Sequence, residues 1–553
     1  MFANSKKVFF AATLSLLVCF AFQVKAASPA ALDFNVNQNY DATDRSAVPA
    51  SLVLTTPQFY FYLETDFWNT QTQDQKNALI GSINALSDEF ANNIYPGITS
   101  LFGQEARPGI DNDTKITVLF ESMKEGNGGY FRQNDEYQKL QVPDSNQREM
   151  VYLSLGYINQ ISQLKVILAH EFMHLVIFNQ KNNVQGVQEE TWLDEARSDY
   201  TSTLLGYDDH YEGSNLQSRV NDFLKNPTDS LPEFLNTKSD FASVNIFMHY
   251  LVDHYGINVL ADSLKSKSVG ILSINEALTK NGFKEDFAQI FTNWTIATLI
   301  NDCSLDVKYC YTNEHLANLK ISPNLVFLPL VGGSSLSTNN VTKNWAGNWQ
   351  KIIGGNGDLT LKFSSAPGIV FKVPYLVYDK NNNYTLNFLA VGPQSKGEIE
   401  IKDFGTKYSS LVLIPSAQSK ITGFNGPEDS YPYTFTISIN QAESSSQPET
   451  IQSLKDQIAA LKAQIAVLLA EKNQSCKALQ SNLSLGTSGA GVTCLQQFLK
   501  AQGTDIYPEA MVTGFFGNLT KAAVIRFQKK YGIPQTGFVG ILTRTKINTL
   551  LTP

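Results

Sequence analysis

Charged residues are scarce in this chain of 553 residues: Asp, Glu, Lys and Arg make up 17%, against roughly 25% in typical soluble domains. The net charge is −8, which argues against a nucleic-acid binder that relies on a basic surface. Glycine and proline are too few for a low-complexity chain. Because a single hydrophobic core stops growing at roughly 250–300 residues, the length predicts several domains.

Long apolar runs are also missing, apart from one near the N-terminus. Lys6 and Lys7 precede the apolar residues 8–22, and Ala26 and Ala27 follow shortly after. This pattern is typical of a secretory signal peptide, and the run is shorter than the roughly 20 residues of a membrane anchor, which is the alternative. We therefore expect a signal peptide over residues 1–26, no membrane span after its cleavage, and a secreted, extracellular protein.

Only five cysteines are present, and Cys19 lies within the predicted signal peptide. The other four form two pairs that are close in sequence, which in a secreted chain predicts two disulfides. The predicted pairs are Cys303 with Cys310 and Cys476 with Cys494. Metal ligation and free buried thiols are the alternatives. Neither pair has the CxxC spacing of a metal site, which argues against metal ligation.

Changes in residue composition and hydrophobic periodicity divide the mature chain into segments. Residues 27–50 lack periodicity and are predicted to be flexible, and residues 51–320 mix helix and strand patterns, as in an α+β domain. Residues 321–440 contain short β-branched or aromatic runs separated by turn residues, which predicts a β-sandwich. Residues 441–474 comprise a polar linker and an apolar heptad pattern over residues 451–468, which predicts a short coiled coil and self-association. The alternative for the heptads is one amphipathic helix that packs on its own chain.

The last segment, residues 475–553, differs from the rest in charge. Its eight basic and two acidic residues give a net charge of +6, whereas the remainder of the chain carries −14. A basic module on an acidic protein fits a polyanionic partner such as a cell wall. An ordinary solvated face is the alternative.

Histidine is rare as well: the chain has six, all between residues 170 and 315. Two of them form the HExxH motif His170-Glu171-Phe172-Met173-His174 in a helical stretch. Residues four apart share a helix face, so both imidazoles can bind one metal ion while Glu171 acts on water without binding the metal. A fortuitous match in a buried helix is the alternative.

A catalytic zinc needs a third protein ligand and an open position. Glu195 and Asp199 share one face of a second helical stretch. We predict Glu195 as the third ligand and Asp199 as the hydrogen-bond acceptor that orients a ligating histidine. Glu189 and Glu190 are rivals for the ligand position, and a solvated acidic face is the alternative for the whole stretch.

The HExxH motif followed by Trp192-Leu193-Asp194-Glu195-Ala196 resembles the gluzincin metallopeptidases, with the nearest likeness to the hyicolysin-type secreted neutral metallopeptidases. The resemblance covers residues 55–319 and implies one catalytic Zn²⁺ bound by His170, His174 and Glu195. It further implies that Glu171 is the general base that takes a proton from the attacking water. Asp194 is a departure, because the family usually has Asn there.

An oxyanion donor, commonly Tyr or His, is also implied by this resemblance. The sequence does not choose among the candidates Tyr200, His210, Tyr211, His249 and His254.

A second resemblance covers the tail, in which Gly514-Phe515-Phe516-Gly517 and Gly537-Phe538-Val539-Gly540 are similar to the peptidoglycan-binding domain of the three-helix type. Two positions depart from the family: Ile541 replaces the usual Pro, and Gly491 stands where an acid is common. The resemblance implies a small α-helical domain that binds peptidoglycan.

Taken together, the patterns predict a multidomain, secreted zinc endopeptidase that acts on protein or peptide substrates and is associated with the cell wall. One alternative is a metallo-hydrolase that cleaves peptidoglycan. The other is an inactive, wall-attached surface-binding protein.

Overall fold

The computed structural model describes residues 31–328, 334–424, 426, 428–440, 478–485, 487, 489–508, 512 and 514–551. The predicted signal peptide, the predicted coiled coil and Cys476 lie outside the described residues. The described chain forms two compact units. The first comprises the described residues up to Leu216 together with His254–Asp286, and the second comprises Gln217–Asp253 and the described residues from Phe287 onward.

The first unit contains a six-stranded sheet. Its strands in chain order are Ala31–Asn35, Ala47–Thr55, Phe59–Glu64, Ile116–Glu121, Gly129–Phe131 and Met150–Ser154. The third, fourth and sixth strands are parallel, and the other three run antiparallel to their neighbours. The spatial order places the short strand Gly129–Phe131 at one edge of the sheet, beside Met150–Ser154.

The structure departs from the prediction of a flexible segment over residues 27–50, because residues 31–35 and 47–50 lie in strands of this sheet. Phe34 pairs opposite Val48, and both side chains are buried together with that of Ala50. Alternate residues therefore face the core, which is the two-residue period of a strand. Polar residues between these positions hide the alternation in the sequence.

The helices of the first unit include the two helical stretches predicted from the sequence, one around the HExxH motif and one around Glu195. Gln73–Glu89 begins with a capping box in which Thr72 and Gln75 satisfy each other's backbone N–H groups. The helices are Thr65–Thr70, Gln73–Glu89, Tyr95–Phe102, Ile161–Phe178, Thr191–Leu204, Ile257–Leu264 and Gly270–Lys280. Two π-helical segments, Phe90–Ile94 and Asn179–Gln185, continue two of these helices, and short 3-10 turns occur at Gln133–Glu136 and Leu155–Tyr157.

The helix Ile161–Phe178, called here the motif helix, is the core helix of this unit. It packs on the strands Gly129–Phe131 and Met150–Ser154. With the π-helical segment it forms Ile161–Gln185, which by length and composition alone could cross a membrane, although no such segment was predicted. Its most apolar window is 61% buried inside the protein, and burial against the sheet accounts for the apolar residues.

The second unit includes helices that were predicted to share a domain with the HExxH motif. Its helices near the start are Asn215–Lys225, Lys238–Tyr255 and Phe287–Ile300, the first two of which extend slightly into the first unit. Trp349 donates its Nε1–H to the Thr295 carbonyl, and Gln418 donates to Thr292 Oγ1, so Phe287–Ile300 is hydrogen-bonded to the β-rich region. The predicted domain boundary at residue 320 stays a prediction. The predicted Cys303–Cys310 disulfide is formed, beside the 3-10 turns Val307–Tyr309 and Glu314–Leu316.

The β-rich region is confirmed between residues 324 and 440. Its strands are Asn324–Leu328, Ser334–Lys343, Gln350–Gly354, Gly357–Ser365, Phe371–Lys372, Pro374–Asp379, Tyr384–Phe388, Lys396–Phe404, Tyr408–Leu413, Ser416–Ala417 and Ser430–Asn440. Within the described residues, most of these strands fall into two hydrogen-bonded groups, which join where Phe404 pairs with Tyr408. Both groups contribute to one buried core that includes Leu361, Leu411 and Phe435.

The tail forms the predicted small helical domain. Its helices are Ala490–Ala501, Asn518–Lys530 and Ile541–Leu551. They enclose a core of buried apolar residues that includes Leu495, Phe516, Phe527, Val539 and Ile547. Cys494 is held in a disulfide, and its predicted partner Cys476 lies outside the described residues.

Candidate metal centre and cell-wall module

Two consecutive helices bring together the three residues that the sequence predicted as metal ligands. His170 and His174 are one turn apart on the motif helix, and Glu195 comes from Thr191–Leu204, called here the Glu195 helix. Glu195 Oε2 lies 3.2 Å from His170 Nε2 and 3.7 Å from His174 Nε2. The candidate ligand atoms of all three residues lie within 4.8 Å of one another. The arrangement can therefore surround a single ion.

The donor set fits a zinc ion. Two imidazole nitrogens and one carboxylate oxygen are a ligand set of catalytic zinc sites, which leave one position open. Glu195 Oε2 is buried and accepts no hydrogen bond of acceptable geometry, despite its closeness to His170. An unsatisfied buried carboxylate oxygen is costly, and a bound cation would satisfy it.

Asp194 orients one of the two histidines. Its Oδ1 lies 2.7 Å from His174 Nδ1, and Ser198 Oγ lies 3.2 Å from the same nitrogen. Burial alone would lower the pKa of His174, but Asp194 and Glu195 outweigh it and raise the pKa to about 10. The surroundings therefore favour positive charge on this side of the centre, and Asp194 holds the ring with Nε2 directed at Glu195.

Asp199, the residue that the sequence predicted for this role, is also buried. Its Oδ1 accepts a hydrogen bond of 3.2 Å from Asn215 Nδ2. Its contact with a ligating histidine stays a prediction. The sequence missed Asp194 because its contact with His174 depends on how the two helices pack, although the departure from the family's Asn marked the position.

Glu171, the predicted general base, is buried next to the ligands. Burial raises the pKa of its carboxyl, and the neighbouring His170 and His174 partly oppose that shift. The edge strand Gly129–Phe131 passes close by: a Cβ atom on Gly129 would lie 3.2 Å from Glu171 Cγ and 2.7 Å from the Tyr152 carbonyl oxygen. Glycine is therefore required for this close approach. The sequence signal was the pair Gly128-Gly129 before a short apolar run.

The rival carboxylates have other partners. Glu189 accepts hydrogen bonds from Arg197 and from the Gly270 backbone N–H, and Glu190 accepts one from Trp192 Nε1. The nearby buried Lys181 donates to the carbonyl oxygens of Ser263, Ser266 and Ser268. These groups connect the helices of the first unit and take no part in the cluster of ligand atoms.

The five candidate oxyanion donors are distributed over both units. Tyr200, His210, Tyr211 and His254 belong to the first unit, in which burial raises the pKa of Tyr211. His249 belongs to the second unit, where it is buried and its Nδ1 lies 3.5 Å from Asn313 Nδ2. We assign none of them as the donor.

A second group of carboxylates occurs in the second unit, where Asp229, Asp240 and Glu428 approach one another. Lys343 Nζ lies 2.5 Å from Asp229 Oδ1 and 2.7 Å from Glu428 Oε1. The lysine already supplies a positive charge there, so we do not treat this group as a metal site.

Three solved structures illustrate how distant the similarities to known folds are. A periplasmic inhibitor of g-type lysozyme from Aeromonas hydrophila is 9% identical, with a TM-score of 0.15 over 22% of this chain and 100% of that chain. CorA, a surface-associated copper-binding protein of Methylomicrobium album BG8, is 10% identical, with a TM-score of 0.14 over the same shares. A family GH115 4-O-methyl-α-glucuronidase, BtGH115A, is 8% identical, with a TM-score of 0.12 over 59% of this chain and 51% of that chain. These TM-scores carry no argument about fold or function.

The tail, in contrast, matches a known family. The chain matches no curated protein, but residues 488–547 match the model of the putative peptidoglycan binding domain. The match coincides with the three helices and the core described above. The chain therefore carries a C-terminal peptidoglycan-binding domain, which supports its association with the cell wall.

Proposed function

We propose that this protein is a secreted, zinc-dependent endopeptidase that its C-terminal domain holds at the cell wall. The observation that carries the proposal is the convergence of His170, His174 and Glu195, with a buried Glu195 oxygen that accepts no hydrogen bond. The alternative, a fortuitous HExxH match in a buried helix, gives no reason for the Glu195 carboxylate to lie beside both histidines.

The chain's own residues supply the other parts of a hydrolytic site. A bound zinc would polarise the scissile carbonyl and lower the pKa of water. His170, His174 and Glu195 would hold the ion, and Asp194 would keep His174 in the required tautomer. Glu171, buried beside the ligands, would take a proton from the attacking water and pass it to the leaving amine.

The edge strand favours a peptide as the substrate. Within the part of the chain that the structure describes, Gly129–Phe131 pairs with Met150–Ser154 on one side only, and it passes beside Glu171. An extended peptide can add to such an edge through main-chain hydrogen bonds, which bind backbone without demanding one sequence. A peptide bound in this way would lie next to the proposed base.

The test measures zinc content and proteolysis on the same preparations. The mature protein should contain about one zinc per chain, and a chelator should abolish casein hydrolysis. Glu171→Gln should retain zinc and lose about 10²–10⁴-fold in kcat, because the base is lost while the ligands stay. Glu125→Gln, an exposed residue of the same type, is the control and should keep full activity. Near-normal activity of Glu171→Gln, or of the metal-free protein, would refute the proposal.

The peptidoglycan-binding domain favours a second candidate function, hydrolysis of peptidoglycan itself. Casein and purified peptidoglycan should therefore be offered in parallel. Zinc-dependent release of soluble fragments from peptidoglycan, without casein hydrolysis, would select the second candidate. Bound zinc with no hydrolysis of either substrate would select the inactive, wall-attached protein.

A further inference from the structure

The peptidoglycan-binding domain contains one seven-residue pattern twice. Residues 514–520 read Gly-Phe-Phe-Gly-Asn-Leu-Thr, and residues 537–543, which begin 23 positions later, read Gly-Phe-Val-Gly-Ile-Leu-Thr. Each copy leads into a helix, Asn518–Lys530 and Ile541–Leu551 respectively. We call these two segments the first and second turn.

A buried glutamine holds the first turn in place. Gln496 Oε1 accepts a 2.8 Å hydrogen bond from the Gly514 N–H, and its Nε2 donates to the Phe515 carbonyl and to Thr520 Oγ1, each at 2.9 Å. Gly514 has a φ of 73°, a conformation that favours glycine.

Gln528 holds the second turn through the same three bonds. Its Oε1 accepts from the Gly537 N–H at 2.9 Å, and its Nε2 donates to the Phe538 carbonyl at 2.8 Å and to Thr543 Oγ1 at 3.0 Å. Gly537 has a φ of 69°. The two turns therefore repeat one another in hydrogen bonding and in backbone conformation, and each is fixed to a buried glutamine by three hydrogen bonds.

The repeat extends to what each turn exposes. The third residue, Phe516 or Val539, is buried in the core. The second residue is instead a phenylalanine left open to solvent, with 52% of Phe515 and 44% of Phe538 exposed. The sixth residue is an exposed leucine, Leu519 or Leu542.

The two rings also lie in similar places over a glycine of their own turn. The nearest ring atom is 3.6 Å from a Cβ built on Gly517 in the first turn and 2.8 Å from one built on Gly540 in the second. Each ring thus lies across the turn and presents a side to solvent. Among the described residues, the buried core includes the third residue of each turn and neither of these two rings.

Exposed aromatic and aliphatic side chains that recur on hydrogen-bonded turns are typical of contact sites. The family match identifies peptidoglycan as the partner of this domain. Its strands repeat one disaccharide–peptide unit, whose sugar rings have apolar C–H faces that can stack on a phenyl ring. The domain's net positive charge complements carboxylates of the stem peptides.

We infer that the two turns are two equivalent contact sites, Phe515 with Leu519 and Phe538 with Leu542, that bind two repeating units of peptidoglycan at once. The inference rests on the wall attachment within the proposed function and is independent of the peptidase. Binding at one turn raises the effective concentration of ligand at the other, so longer fragments bind more tightly than single units.

The experiment uses the full mature chain, with chelator present, and two probes: a single disaccharide–peptide unit and a soluble fragment with several units. Phe515→Ala and Phe538→Ala should each weaken binding of the longer fragment by about tenfold or more, which is the whole preference for that fragment, and the double variant should lose most of the remaining binding. Phe515→Tyr and Phe538→Tyr, which keep the ring, should restore binding. Leu550→Ala removes a comparably exposed apolar residue outside both turns and should leave binding unchanged.

Wild-type protein should prefer the longer fragment at least tenfold, and each single Ala variant should lose that preference while still binding the single unit. The inference would be overturned if only one of the two Phe→Ala variants bound the longer fragment more weakly. Equal affinity of the wild-type protein for the two probes would also overturn it. So would a changed oligomeric state with unchanged binding, which would assign the rings to a contact between copies of the chain. If Ala variants bind normally while removal of the domain abolishes binding, the inference fails and the wall attachment stands.

Discussion

Among single residues, Asp194 has the clearest test, because its carboxylate orients His174 at 2.7 Å. Asp194→Asn should lower zinc affinity about 10–100-fold, since an orienting carboxylate sets the tautomer and basicity of a ligating histidine. Chelator competition measures the affinity. Asp74→Asn is a matched control, because Asp74 also lies in the first turn of a helix but is exposed.

Asp199→Asn, with zinc affinity measured in the same way, shows which of the two carboxylates, Asp194 or Asp199, orients a ligating histidine. If Asp199→Asn weakens zinc binding and Asp194→Asn does not, the residue predicted from the sequence is the one that orients a ligand. If both variants weaken zinc binding, each of the two carboxylates orients one of the two histidines.

Glu121 leads to a prediction about pH. Burial raises the pKa of its carboxyl from 4.5 to about 7, although Tyr130 donates a hydrogen bond to it. Because the folded-state pKa is the higher one, the proton is bound more tightly in the folded protein. The carboxyl therefore opposes folding increasingly as the pH rises from about 4.5 to about 7.

Glu121→Gln removes this titration while keeping an oxygen for Tyr130. The stability of the variant relative to wild type should rise by about 1–3 kcal/mol between pH 4 and pH 8. Calorimetric Tm values at the two pH values measure the change. A difference in Tm that does not depend on pH would contradict the raised pKa.

The two candidate histidine ligands could be predicted because their spacing is a local property: His170 and His174 are four positions apart on one helix. Asp194 and Gly129 could not be predicted in the same way. Their contacts join segments that are distant along the chain, so packing of one helix on another and on the sheet decides them.

At the scale of elements, the strand Gly129–Phe131 should tolerate no side chain at its first residue. A Cβ there would meet the Tyr152 carbonyl at 2.7 Å, and this backbone oxygen cannot move aside as a flexible side chain can. Gly129→Ala should shift the edge strand from Glu171, destabilise the protein by roughly 1–3 kcal/mol and lower kcat/KM at least tenfold. Casein hydrolysis normalised to bound zinc measures the effect on activity.

Gly81→Ala is the control for that change. Gly81 lies within Gln73–Glu89, and a Cβ there meets nothing within 4 Å. The substitution should raise stability by about 0.5–1 kcal/mol, because alanine loses less backbone entropy in a helix, and leave activity unchanged. Equal losses of activity in both variants would argue against a special role of the edge strand.

The helices and several strands were predictable because their apolar residues recur at helix or strand periods. The motif helix, predicted as a helical stretch around the HExxH motif, spans Ile161–Phe178. Ser334–Lys343 was missed since most of its residues are polar, and it becomes a strand by pairing along its length with Ser430–Asn440. Such pairing is a property of the fold and leaves little trace in the strand itself.

For the whole molecule, wall attachment and hydrolysis should be separable. A protein of residues 27–445 lacks the peptidoglycan-binding domain and should digest casein but no longer sediment with peptidoglycan sacculi. Residues 27–553 are the control. Sedimentation should be repeated at 1 M salt, where exposed charges are screened within about 3 Å, so that nonspecific attraction by the +6 tail is excluded. Equal sedimentation of the two proteins would place the wall-binding surface outside the tail.

The order of the proposed ligands along the chain has a further consequence for the lifetime of the protein. The motif helix and the Glu195 helix are consecutive, so an ion bound to His174 and Glu195 would close a loop through the segment that Lys181 anchors. Separating the two helices would then require release of the ion. In the proposed zinc-bound form, the rate of metal dissociation would therefore limit the rate of unfolding, and the supply of zinc would set how long each molecule keeps its fold.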